Sequence, residues 1–162
     1  MGKRALMVAA IVAVLAAATV GASLAQAGSA TASRSGDVIH VVLSATGSHV
    51  QFFDFEGDGL TLGDRLAVTS PMLNVGQTER VGTSYGDCWV GAVRLKEGSP
   101  YVCSNILRFK DGTITTEGLD PHGVSDVFFS ITGGTGAYQD LEGQAEYIDT
   151  ATQTDIIITL DD

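Results

Sequence analysis

Short apolar segments, each bounded by turn-forming residues, constrain the fold of this chain more than any other feature. From Asp37 onward, runs rich in β-branched and aromatic residues are separated by Gly, Asp, Asn and Pro, and no stretch shows a 3.6-residue period. Such runs predict β-strands joined by tight turns, which form a sandwich or a closed barrel. The predicted strands cover residues 38–45, 49–55, 65–69, 80–85, 88–95, 101–109, 113–117, 127–131, 144–148 and 155–160.

The first 27 residues are typical of a secretory signal peptide. Lys3 and Arg4 precede a run without a polar residue from Ala5 to Ala18, and Ala25-Gln26-Ala27 has the small-residue spacing of a cleavage site. The apolar run is shorter than the roughly 20 residues of a membrane span. We therefore expect cleavage after Ala27, a flexible lead-in over residues 28–36, one β domain over residues 37–162, secretion, and no stable membrane insertion after cleavage.

Both cysteines fall on predicted strands that a hairpin around residues 96–98 would join. Cys88 and Cys103 would then lie at a similar height on adjacent strands. A disulfide between them is the first interpretation in an oxidising compartment, and two free thiols are the alternative. The strand of Cys88 also has two interpretations: residues 80–85 and 88–95 are separate strands, or they are halves of one strand with a bulge at Gly86 and Asp87.

The charge balance of the mature chain is strongly acidic. Removal of Lys3 and Arg4 with the leader leaves seven of the nine basic residues against 19 acidic ones. Such a surface repels nucleic acids and anionic lipids, so we expect no nucleic-acid partner.

Two glycine-containing motifs match catalytic loops only in part. Residues 82–86 (GTSYG) match the G-x-S-x-G nucleophile elbow, but a strand is predicted after them instead of the required helix. Residues 131–138 (ITGGTGAY) begin like a dinucleotide-binding loop, yet Gln139 stands at the third glycine position, and no lysine after Lys110 could complete a P-loop. We expect a strand at the first motif and a tight turn at the second, after which Tyr138 packs against the sheet.

No motif predicts a metal site. Residues 54–59 have acids at positions 1, 3 and 5 and glycine at position 6 of a calcium loop, but Arg65 occupies position 12, where a bidentate glutamate belongs. Weak incidental calcium binding is the alternative left there. The histidines, which lack the spacing of metal ligands, are His40, His49 and His122.

Several stretches occur together in an order that resembles the allene oxide cyclase barrel family, a calycin-like group that also contains plant dirigent proteins. They extend over nearly all of residues 37–162. The stretches are Gly63-Asp64-Arg65-Leu66, residues 80–88 (RVGTSYGDC), residues 109–114 (FKDGTI) with Gly118, and residues 131–138 (ITGGTGAY) with Gly143-Gln144.

The resemblance implies an all-β domain, an eight-stranded antiparallel calycin-like β-barrel whose mouth or lumen receives a small, largely apolar molecule. Plant allene oxide cyclases mould an epoxide-bearing fatty-acid derivative for ring closure, and dirigent proteins steer the coupling or cyclisation of reactive phenolic intermediates. Neither activity needs a metal or an organic cofactor, and plant members form oligomers. The resemblance therefore implies a small hydrophobic or phenolic ligand, no cofactor, and a homo-oligomer.

Three positions determine how far the family's pocket applies to this chain. Cys88 matches a pocket cysteine of the plant cyclases, although a disulfide would remove its thiol. Ser70 stands at the family's pocket asparagine. The family's glutamate falls near Phe53, and the adjacent carboxylate of Asp54 is expected on the other face of the strand. The resemblance thus implies the barrel and a ligand, but not allene oxide cyclisation itself.

The predicted function is a secreted barrel that binds this ligand and directs its cyclisation or coupling, as an isomerase would, by excluding water and folding the ligand into a reactive conformation. Two alternatives stay open: a non-catalytic secreted ligand-binding or structural barrel, and a Diels-Alder-type cyclase of the kind known among bacterial relatives, against which secretion argues. The side chains predicted to line the lumen are Phe53, Asp54, Ser70, Tyr85, Trp89, Tyr101, Asn105 and Phe129.

Overall fold

A computed structural model describes residues 38–57, 59–92, 99–121 and 123–161, and strands are the regular elements in them. Among these residues no helix is long and apolar enough to cross a membrane. The predicted signal peptide (1–27) and lead-in (28–36) lie outside the described residues. The strands are β1 (Val38–Ser44), β2 (His49–Phe53), β3 (Arg65–Leu73), β4 (Arg80–Val90), β5 (Tyr101–Phe109), β6 (Gly112–Asp120), β7 (Asp126–Gly136), β8 (Gly143–Asp149) and β9 (Gln153–Leu160).

The sheet is antiparallel and closes on itself. Its strands follow the order β1-β9-β8-β7-β6-β5-β4-β3-β2, and β1 also pairs with β3 through Val42–Leu73 and Leu43–Met72. β1 and β2 run in the same direction along β3, with a bend at residues 45–48 between them, so together they form one strand of the wall. The described residues therefore confirm the predicted eight-stranded antiparallel barrel.

The two ends of the barrel differ in packing. The lower end, where β3–β4, β5–β6 and β7–β8 are connected, is filled by large apolar side chains. The upper end has the connections β2–β3, β6–β7 and β8–β9. The fully buried side chains that fill the lower part include Met72, Leu107, Ile114, Tyr138 and Ile158.

The turn that the glycines of residues 131–138 predict begins only at Ala137, because residues 131–136 are the end of β7. β7 ends at Gly136, whose φ of 63° suits glycine, and the ring of Tyr138 packs 5.0 Å from that of Phe109. Gly134 passes so close to the turn that a Cβ there would lie 1.9 Å from the Tyr138 carbonyl oxygen. The glycines thus let the chain reverse while Tyr138 closes the lower end.

β4 is one strand without the bulge considered at Gly86 and Asp87. Gly86 pairs in regular register with Val68 of β3 and Asn105 of β5. A Cβ at Gly86 would lie 2.8 Å from Asn105 Oδ1, so the glycine makes room for the asparagine side chain. The irregularity in the β3–β4 ladder falls instead between Met72 and Leu73.

Cys88 and Cys103 form the predicted disulfide, and no cysteine in the described part of the chain is free. The two residues face each other in register on β4 and β5. Both side chains are buried against the barrel core. The bond therefore ties together two neighbouring strands of the wall.

A buried carboxylate holds the β2–β3 loop to the upper end. The Asp64 side chain accepts hydrogen bonds from the backbone N–H groups of Thr61 (2.7 Å) and Phe55 (3.1 Å) and from the Thr61 hydroxyl (3.1 Å). Its backbone carbonyl accepts from the N–H of Val90 at 2.8 Å. The hydrogen bond from the Thr61 backbone lowers the pKa of Asp64, so the carboxyl is ionised at neutral pH.

Asp64→Asn should lower stability at neutral pH, because the amide cannot accept all of these hydrogen bonds. Since the folded-state pKa of Asp64 is lowered, its contribution is complete above the ordinary value of about 3.9 and disappears as the pH falls through the lowered value. Denaturant titrations at several pH values measure this difference. Asp126→Asn, at the exposed start of β7, is the control. A pH-independent difference would contradict the role of the ionised carboxylate.

The variant Cys88→Ala/Cys103→Ala should lose about 3 kcal/mol of unfolding free energy, because the bond joins positions 15 residues apart. Denaturant titration of the oxidised protein measures the loss. Reduced wild-type protein should be destabilised by a similar amount, whereas reductant should leave the double variant unchanged. Equal stability of oxidised and reduced wild type would argue against the bond.

Candidate functional site

The upper part of the lumen contains a cavity of about 130 Å³. Each of the eight wall strands contributes at least one residue to its lining, so the cavity exists only when the barrel is closed. The lining residues are Leu43, Val68, Ser84, Gly86, Cys88, Cys103, Asn105, Asp120, Val127, Phe129, Tyr147, Asp149 and Thr154.

Strand alternation determines which side chains reach this cavity. In β4, Ser84 and Cys88 are buried, whereas Tyr85 and Trp89, one residue further along, are each 41% exposed. Successive residues of a strand point to opposite faces, so the even-numbered residues of β4 face the lumen. The same rule sends the odd-numbered residues of β5 inward.

One wall of the cavity is formed by two packed aromatic rings. Phe129 of β7 and Tyr147 of β8 have ring centroids 4.8 Å apart. The Phe129 ring lies directly over Gly118 of β6, where a Cβ would come within 2.2 Å of a ring carbon. The Phe129 ring can therefore occupy this position only because residue 118 has no side chain.

Asn105 supplies a buried hydrogen-bond donor without a partner. The residue is 8% exposed, and its Nδ2 has no hydrogen-bond partner among the described residues. An unsatisfied buried donor costs about 1–3 kcal/mol of stability. A ligand oxygen in the cavity would satisfy this donor, which makes Asn105 the strongest indication of a binding site.

Tyr147 and Thr116 form a polar pair beside the cavity. Their hydroxyl oxygens are 2.9 Å apart, and Thr116 is fully buried. Burial raises the pKa of Tyr147 far above its ordinary value, so its hydroxyl stays protonated at neutral pH. The pair can thus donate or accept a hydrogen bond but supplies no negative charge.

Two carboxylates, Asp120 and Asp149, lie at the upper edge of the lining. The hydroxyl of Thr154 donates to Asp149 at 2.5 Å. No lysine or arginine is among the lining residues. In the described ranges no group of three or more His, Cys, Asp and Glu side chains could hold a metal ion.

The predicted lining residues divide between the two faces of the wall. Asn105 and Phe129 line the cavity. Tyr101, at the upper start of β5, packs against the core cluster. Ser70 is buried and lies 2.7 Å from the Ser48 hydroxyl, in a second depression beside the lumen.

The other four predicted residues lie away from the cavity. Phe53 pairs with Arg65, and Arg65 with Trp89, on the outer face. Tyr85 and Trp89 border an outer depression of about 370 Å³, across which Arg65 and Asp87 form an ion pair. Asp54 accepts hydrogen bonds from the N–H groups of Gly57 and Gly59 in the β2–β3 loop. A ligand role for these residues stays a prediction.

Sequence reasoning missed Thr116 and Tyr147. A usable signal exists in the alternation of their strands: Thr116 has the same parity as buried Ile114, and Tyr147 the same parity as buried Ala145. The buried positions of Ile114 and Ala145 therefore indicate that Thr116 and Tyr147 lie on the inner face of the sheet.

A family model described as the allene oxide cyclase barrel like domain matches residues 44–159. The match begins at the last residue of β1 and reaches into β9, so it includes every residue that lines the cavity except Leu43. No curated protein sequence matches the chain significantly.

Solved structures share the fold. A pyocyanin demethylase aligns with a TM-score of 0.66 and 24% identity over 76% of this chain and 99% of that one. A nonspecific heme-binding cyclase that catalyses a 4 + 2 cycloaddition during neoabyssomicin biosynthesis aligns with a TM-score of 0.60 and 18% identity. This alignment covers 81% of this chain and 68% of the cyclase. The pterocarpan synthase dirigent protein PsPTS1 aligns with a TM-score of 0.58 and 18% identity, over 78% of this chain and 94% of that protein. At these identities the likeness is one of fold.

Asn105→Leu should raise the unfolding free energy by about 1–3 kcal/mol, because leucine has a similar volume and needs no hydrogen-bond partner. Thermal and denaturant unfolding of the ligand-free protein measure the change. Thr116→Val is the matched comparison: it removes a satisfied hydrogen bond to Tyr147 and should lower stability. A loss of stability in Asn105→Leu would mean that the amide donor is already satisfied.

Proposed function

Because the chain belongs to the allene oxide cyclase barrel-like family, we propose that its lumen binds a small hydrophobic or phenolic molecule and directs the cyclisation or coupling of that molecule. The observation that supports this function best is the buried, unpartnered Nδ2 of Asn105 beside a largely apolar cavity. Apolar walls with few polar groups are typical of small-molecule sites.

The volume of the cavity suits one ring of a ligand. An apolar cavity of roughly 150 Å³ takes up benzene, and the lumen offers about 130 Å³. A larger ligand would place one ring between the Phe129 and Cys88–Cys103 walls and extend the rest of the molecule beyond the cavity.

Asn105 would orient the ring by donating a hydrogen bond to a carbonyl or phenolic oxygen. If negative charge develops on that oxygen during ring closure, the donor stabilises it most in a site without competing water. The apolar walls would hold the chain of the ligand in a folded, reactive conformation. Ring closure of this kind is an isomerisation, so it needs no oxidant, and any coupling would use intermediates activated elsewhere.

A non-catalytic ligand-binding barrel is the second candidate. It is favoured by the disulfide, which leaves neither Cys88 nor Cys103 as a thiol nucleophile. It is also favoured by the protonated state of Tyr147, which cannot act as a base at neutral pH. Both candidate functions are expected to need no cofactor, and this expectation stays a prediction.

Secretion and self-association complete the proposed function. The leader at residues 1–27 supports secretion. Self-association is supported by exposed apolar side chains on the outer face of β4 to β7, namely Tyr85, Trp89, Val102, Ile106, Leu119 and Phe128.

Phenol should bind the wild-type protein roughly tenfold more tightly than toluene, because only phenol offers an oxygen to the Asn105 amide. Asn105→Leu should remove this preference while keeping toluene binding. Isothermal titration or ligand-observed NMR measures both affinities. Ser104→Ala, the neighbouring residue on the outer face of β5, should bind like wild type. Equal binding of phenol and toluene to wild type, or binding of neither, would refute a ligand site at Asn105.

Catalysis is separated from binding by the stereochemistry of the product. A ligand that copurifies with the protein would be identified by mass spectrometry, and its open-chain precursor incubated with and without protein. A cyclase should produce an excess of one stereoisomer, which Asn105→Leu should reduce. Binding with a racemic product would favour the non-catalytic barrel.

A further inference from the structure

The barrel wall has a gap at the upper end. Pairing between β1 and β9 ends at Ser44 and Gln153. Beyond that point β2 continues the wall, but among the described strands it pairs only with β3. In the described part of the chain no backbone ladder therefore joins β2 to the β8–β9 hairpin, and the bend at residues 45–48 and this hairpin border an opening in the side of the barrel.

A slot of about 220 Å³ occupies this gap and adjoins the lumen. Leu43, Val68 and Thr154 line both the slot and the cavity that contains Asn105. The full slot lining is Leu43, Ser44, Ala45, Ser48, Val68, Ser70, Thr150, Ala151, Thr152, Gln153 and Thr154. The slot and the cavity are therefore adjacent, and these three side chains lie between them.

The slot differs from the lumen in its chemistry. Six of its eleven lining residues are serine or threonine, and none of the eleven is charged. The Ser48 hydroxyl lies 2.6 Å from the Ser44 carbonyl oxygen and 2.7 Å from the Ser70 hydroxyl. A hydroxyl engaged in one such bond still has acceptor capacity for a further donor.

We propose that this slot is a second subsite, which holds an uncharged, hydroxyl-bearing arm of a ligand whose ring occupies the lumen. This inference rests on the proposed function and specifies its substrate class: a phenol or similar ring substituted with a sugar or polyol. Hydroxyl groups on such an arm can exchange hydrogen bonds with the serine and threonine hydroxyls. An anionic arm would meet no balancing cation in the slot and a chain of net charge −10 around it.

Phenol and phenyl β-glucoside are the matched probes. Wild-type protein should bind the glucoside roughly tenfold more tightly than phenol, the equivalent of one or two net hydrogen bonds. Ala151→Trp, at an exposed position of the β8–β9 hairpin, should fill the slot and remove this advantage while phenol affinity stays unchanged. Thr152→Trp, exposed on the same hairpin, repeats the test, and Ala137→Trp, exposed at the lower end, is the control.

Each result of these titrations supports or overturns the subsite. If phenol binds but the glucoside binds no better, the subsite is refuted while the proposed lumen site stands. If Ala151→Trp weakens phenol and glucoside equally, the slot is part of the ring site and not a separate subsite. If neither probe binds wild type, the lumen site and the subsite both fail. Unchanged phenol affinity in the Trp variants also shows that they are folded.

Discussion

Closure of the sheet by the short β1–β3 ladder is the constraint on which the rest of this structure depends. Two residue pairs, Val42–Leu73 and Leu43–Met72, join the ends of an otherwise open sheet. Closure gives every strand an inner face, and the lower part of that interior is filled by Tyr138 and its neighbours. Because the ladder is short, the wall above it is incomplete. The same interaction thus creates an enclosed lumen and leaves an opening beside it.

The packing of the interior explains where a ligand can be recognised. The lower end is filled with large apolar side chains, whereas the upper lumen has Asn105 with an unpaired amide nitrogen. Gly86 on the next strand lacks a side chain and so leaves space for the Asn105 amide. A buried donor without a partner lowers stability, and the well-packed lower end and the Cys88–Cys103 bond offset that cost. Part of the stability therefore comes from the half of the barrel opposite the cavity, and the disulfide adds to it from within the cavity wall.

The fold could be predicted from the sequence because its signals are local and repeated. Turn residues recur between short apolar runs, and the ordered motifs around Gly63, Gly86, Gly112 and Gly134 indicate the family. The disulfide followed from two cysteines on adjacent strands. The inner face was harder to predict, because it depends on register, and a shift of one residue reverses it. Asn105 and Phe129 line the cavity, whereas Tyr85 and Trp89 lie on the outside of β4, whose inner positions are held by the small residues Ser84, Gly86 and Cys88.

Gly118 of β6 controls how far the Phe129 ring extends into the cavity, although Gly118 itself does not line the cavity. The Phe129 ring occupies the space that a methyl group at position 118 would need, with only 2.2 Å available. Any larger residue there must push the ring toward the lumen. The volume open to the proposed ligand thus depends on the absence of a side chain at Gly118. In a lineage of such barrels, exchange at this one position would change the size of the cavity without altering any residue that lines it.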